Sequence, residues 1–111
     1  PAMQPADVVT VHFYPDAPID VATYMAGVQR IAGGHQVWLT ETGMGTCDEA
    51  RQSEFYSSVL NPFVQLGRTW WPRVFFYVLS DGEPCSDAMV RPDGSFKPSF
   101  ITYRDFIAAH P

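Results

Sequence analysis

The chain has 111 residues, 46% hydrophobic and 14% aromatic, which suits one domain with a packed core and rules out a wholly disordered chain. Seven Lys and Arg against 12 Asp and Glu leave a formal charge of −5 with no basic run, so a phosphate backbone is repelled and no nucleic-acid partner is expected. No apolar stretch approaches the ~20 residues needed to cross a bilayer, so no membrane-spanning helix is expected either.

Hydrophobic periodicity divides the chain into three similar units. The first predicted strand covers residues 8–14, where Val8, Val9, Val11, Phe13 and Tyr14 supply β-branched and aromatic side chains, and Pro15-Asp16 stops it. A helix is expected over 19–31, starting near Pro18 or Asp20 and ending at Gly33-Gly34. Val21, Tyr24, Met25, Val28 and Ile31 recur at helical spacing and give it one apolar face.

The second strand is read over 36–41, closing on Glu41-Thr42-Gly43. A second helix follows over 48–66, with Phe55, Val59, Phe63 and Leu66 as its seam and Pro62 kinking it. The third strand spans 74–80 and stops at Ser80-Asp81-Gly82. Asp93-Gly94 marks a turn, and the last helix covers 98–109 with Phe100, Tyr103, Phe106 and Ile107 facing inward. Strands joined by crossover helices lie parallel, so the fold class is α/β.

In parallel α/β folds ligands bind at the carboxyl ends of the strands. There the first strand presents His12 and Tyr14, which share a face because side chains alternate. The second presents Glu41, on the face of Val37 and Leu39 by the same alternation, and the third presents Tyr77 and Asp81. A carboxylate directly after an apolar strand costs desolvation energy unless it is hydrogen-bonded, which makes Glu41 the foremost functional candidate. The competing reading is an anchor for the following loop; for His12 alone it is a satisfied core histidine. Together, His-x-Tyr beside a strand-end Glu suggests a carboxylate oriented by a phenol.

Four strings occur in order: residues 9–14 (VTVHFY), 37–43 (VWLTETG), 75–82 (FFYVLSDG) and 97–100 (KPSF). This series resembles the carboxyl-terminal part, strands six to eight, of retaining (β/α)8-barrel glycoside hydrolases of the clan that holds cellulases, mannanases and β-xylosidases. The resemblance implies a partial barrel of three βα units in which Glu41 stands at the nucleophile position. Tyr14 then matches the phenol beside the nucleophile, and His12 a substrate-side polar residue. Tyr77 stands where many members carry Trp, at the floor of the sugar site, and Asp81 is a further substrate-side candidate.

A complete barrel needs eight such units and ~250 residues, and retention needs a second carboxyl ~5 Å from the nucleophile. The family's acid/base follows an Asn on the fourth strand, and no segment here corresponds to it. Glu49 and Glu54 are placed on the second helix and Glu83 in a loop, which leaves Asp81 and Glu83 as the carboxyls able to approach Glu41. The expectation is a glycoside-hydrolase-like piece, inactive or weakly active alone. The alternatives are a non-enzymatic carbohydrate-binding or assembly module, and a homo-oligomer with a new weak hydrolase site. Three parallel strands leave two edges and one apolar face uncovered, so the expected partner is a second copy or the missing amino-terminal half of a barrel.

Cys47 and Cys85 follow adjacent strands, so a disulfide between them is feasible in an exported protein, with free thiols the alternative if Met3 is a cytosolic start. His12, His35 and His110 are scattered without metal-site spacing, and no phosphate loop occurs, so neither metal nor cofactor is expected. Trp70-Trp71, at the amino end of the third strand, reads as packing rather than as a sugar platform.

Overall fold

A computed structural model describes residues 7–15, 20–67 and 69–111. Met3, Asp16, Pro18 and Ile19, which entered the readings of the start, the first strand stop and the first helix start, lie outside the described residues. The described elements are β1 (Val8–Phe13), α1 (Val21–Ala32), β2 (Gln36–Thr42), α2 (Glu49–Pro62), a single π-helical turn (Phe63–Gly67), β3 (Arg73–Phe76) and α3 (Pro98–Ala109). The three strands form one parallel sheet in the order β1-β2-β3, so the chain is α/β.

Local chemistry sets the boundaries. Asp20 caps α1 by accepting hydrogen bonds from the amides of Ala22 and Thr23, and Gly33 ends it in the left-handed region at φ 61°. Asp48 caps α2 through the amide of Arg51 at 3.0 Å. Pro62 has no amide to give, and the predicted 48–66 helix gives way at that point to the π turn. Pro98 opens α3, where a missing amide costs nothing.

The helices cover one face of the sheet. Val9, Val11 and Phe13 from β1, Val37 and Leu39 from β2, and Val74 and Phe76 from β3 pack with Val21, Met25, Phe55, Tyr56, Val59 and Trp71. Trp71 is fully buried and the Trp70 carbonyl accepts the amide of Val37 at 2.7 Å, so this pair builds core and sheet end. On the other face Thr10, His12, Tyr14, Arg73, Phe75 and Tyr77 are exposed.

Several expectations shift. β3 pairs only as far as Phe76, with one further bond from the Tyr77 amide to the Thr42 carbonyl. Val78 and Leu79 leave the sheet and accept the amides of Met89 and Val90, because β2 has ended and offers no further partners. Ile31, Leu66 and Ile107, placed on inward faces by periodicity, are exposed, since a sheet of three strands is too small to cover the last turns of its helices.

The largest departure concerns Glu41. Strict alternation keeps residues 37, 39 and 41 on one face, the buried one. A β-bulge intervenes: Val11 pairs with Leu39, but the next residue, His12, pairs with Glu41. One extra residue on β2 carries Glu41 across to the exposed face beside His12. Thr42 takes the inward position instead, fully buried, with its hydroxyl donating to the Phe13 carbonyl at 2.7 Å.

Candidate functional site

The bulge assembles the site. The phenol of Tyr14 donates to Glu41 Oε2 at 3.0 Å, and His12 Nδ1 lies 3.2 Å from the same oxygen. Oε1 is left without a hydrogen-bond partner among the described residues. The carboxylate is therefore held by one oxygen and open at the other. Its side chain is 40% exposed, so the open oxygen faces solvent rather than core.

Burial, followed by the bond to Glu41, pushes the Tyr14 hydroxyl up to about 12, so the phenol stays a donor throughout the neutral range. Tyr77 meets Tyr14 edge-on, 6.3 Å between ring centres, and is 46% exposed. His12, Tyr14, Glu41 and Tyr77 thus form one cluster at the carboxyl end of the sheet. Asp81 is placed differently. Its Oδ1 accepts the Glu83 amide at 3.0 Å and the Ser86 hydroxyl at 2.9 Å, and the amide contact leads in holding its carboxyl below the usual range. Asp81 shapes its own turn and makes no hydrogen bond to the Glu41 cluster.

Glu49 is likewise engaged, receiving Arg91 Nη2 at 2.6 Å and Nε at 3.0 Å in a two-pronged ion pair that ties the irregular segment after β3 to the start of α2. Cys47 and Cys85 are joined in a disulfide that staples the β2–α2 loop to the loop after β3.

Residues outside the sequence reading stand next to the cluster. A pocket of about 280 Å³ is lined by Tyr14, Gly43, Met44, Thr46, Arg51 and Asp87 among others. Asp87 is half-buried, and its burial raises its carboxyl above the usual range. It lies in an irregular stretch with no periodicity to mark it; its one sequence signal is Cys85, two residues before. Gln52, on α2 and fully buried, donates its amide to the Met44 and Ser86 carbonyls at 3.1 and 3.0 Å and accepts the Ser99 hydroxyl at 2.7 Å. One side chain therefore holds both pocket-forming loops. Among the described residues no group of three His, Cys, Asp or Glu is placed to hold a metal ion.

An α/β chain with a strand-end glutamate fixed by a phenol is an arrangement suited to attack on an electrophilic carbon. No curated protein and no solved structure matches the chain. A family model described as the glycosyl hydrolase catalytic core matches it over residues 3–103, nearly its whole length, and the chain belongs to that family.

Proposed function

We propose that the chain is three βα units of a (β/α)8 glycoside hydrolase core, with Glu41 in the nucleophile position of a retaining mechanism. The observation that carries this reading is the convergence of Tyr14 and His12 on one oxygen of Glu41, 3.0 and 3.2 Å away, with the other oxygen open. In such a mechanism Oε1 attacks the anomeric carbon, the glycosidic bond breaks, and water later releases the sugar. Tyr14 holds the carboxylate in place and steadies its charge before the attack and again as water releases the ester; Tyr77 offers an aromatic edge to the ring.

The leaving oxygen needs a proton from a second carboxylic acid. Asp81 and Glu49 are committed to other partners, and among the described residues neither Glu83 nor Asp87 hydrogen-bonds to Glu41, Tyr14 or His12, which supports an acid supplied from outside these three units. The chain alone then cleaves only glycosides whose leaving group needs no proton. The expected outcome is slow release of dinitrophenol from dinitrophenyl glycosides, none from unactivated oligosaccharides, and loss of the dinitrophenol release in Glu41→Gln. Equal turnover by Glu41→Gln would sink the assignment.

A further inference from the structure

The pocket beside Glu41 has a composition that a bare loop crevice lacks. Its volume, about 280 Å³, falls just below the ~300–1,000 Å³ of pockets that take drug-sized ligands, so it holds a small ligand of one ring rather than a chain. Tyr14 is among its lining residues, and the hydroxyl of Tyr14 is bonded to Glu41. Whatever occupies the pocket therefore touches the residue that holds the carboxylate.

The lining carries one acid and one base. Asp87 and Arg51 both line the cavity, yet among the described residues no ion pair joins them. Asp87 accepts no hydrogen bond from any other described residue, and the guanidinium of Arg51 makes none. A half-buried carboxylate without a partner is costly to keep. The backbone is shaped to keep it: a Cβ on Gly43 would fall 2.8 Å from Asp87 Oδ1 and 2.6 Å from the Tyr77 carbonyl oxygen, so only glycine lets Asp87 approach. On the same loop, a Cβ on Gly45 would lie 3.6 Å from Asp87 Oδ2, and the Cys47–Cys85 disulfide fixes both loops.

An acceptor and a donor held apart in a one-ring cavity suit a ligand that offers both donors and acceptors on neighbouring atoms and carries no net charge. Vicinal hydroxyls of a neutral sugar meet that description, whereas a uronic acid would bring its carboxylate against Asp87.

We infer that this pocket is a subsite for one ring of a neutral oligosaccharide, with Asp87 accepting from its hydroxyls, Arg51 donating to them, and Tyr14 separating this ring from the one at Glu41. The inference rests on the glycosidase reading of Glu41 and adds the substrate class and the residues that read it.

The test is a titration of the isotopically labelled chain with cellotriose, mannotriose and xylotriose, with trigalacturonate as the charged counterpart, followed at the amides of Gly43, Gly45, Thr46 and Asp87. Saturable shifts at these amides are expected with at least one neutral trisaccharide and not with trigalacturonate. Asp87→Ala should weaken that binding about tenfold, the loss of one well-made hydrogen-bonded contact. No shift with any neutral sugar, an equal response to trigalacturonate, or full binding by Asp87→Ala overturns the subsite. The two readouts separate the two ideas. Sugar binding without Glu41-dependent cleavage refutes the nucleophile alone, and Glu41-dependent cleavage without shifts at these amides refutes the subsite alone.

Discussion

At the scale of single residues, Glu41 and Asp87 are two carboxylates in opposite circumstances. Glu41 has one oxygen occupied by Tyr14 and His12 and stands on an open face. Asp87 is half-buried, with Asp81 adding repulsion and Lys97 pulling the other way, and Tyr14, Tyr56 and Arg51 nearby. Because burial lifts its carboxyl above the unfolded value, Asp87 favours the fold when protonated. That contribution is complete below the unfolded carboxyl range and is lost as pH rises through the raised folded value. Asp87→Asn should therefore melt above the parent chain at pH 7, with the gap closing toward pH 3.5. Thermal melts of both chains at the two pH values check this; a variant less stable at pH 7 would contradict it. A residue that costs stability in place is a mark of a functional position.

At the scale of elements, the site depends on two devices, the β2 bulge and the Gln52 bridge. The α/β order was legible because β-branched runs such as residues 8–11 and helical repeats such as Val21, Met25 and Val28 carry their periods openly. His12, Tyr14 and Glu41 were legible as strand-end polar groups. The face of Glu41 was not, because one inserted residue in a strand leaves composition and length almost unchanged. Asp87 was invisible for a different reason: long-range contacts, the disulfide and Gln52, place it, and no local pattern reports them. The overrun of the third strand came from Val78 and Leu79, strand-like in composition but bonded to Met89 and Val90.

Gln52 itself reads as an ordinary helix residue until the loops are docked on it. Replacing it with Leu would leave the Met44 carbonyl and the buried Ser99 hydroxyl without this partner, and the Ser86 carbonyl with Lys97 Nζ alone at 3.3 Å. The expected loss is about 2–4 kcal/mol by chemical denaturation, from two or three groups at ~1–3 kcal/mol each, only partly additive. An unchanged midpoint would show that the bridge is dispensable.

At the scale of the whole molecule, the described helices lie on one face of the sheet. Tyr14, Phe75, Tyr77 and Leu79 are 43–55% exposed, and β1 and β3 are both edges. Such a surface is a demand for cover. We propose that a second copy, or the remainder of a barrel, supplies it, and a stable pairing would bury ~800 Å² per partner. Sedimentation at micromolar concentration should give a dimer or larger; a clean monomer would contradict self-association.

We propose that Glu41, carried to the exposed face by a bulge and with one oxygen open, is the nucleophile. The most direct measurement is covalent trapping with a dinitrophenyl 2-deoxy-2-fluoroglycoside, whose leaving group needs no acid and whose fluorine slows release of the ester. Mass analysis of peptides from the treated chain should place one fluorosugar on the peptide containing Glu41, and on none from Glu41→Gln. A label on another residue, or no label while the sugar binds, would contradict the central claim.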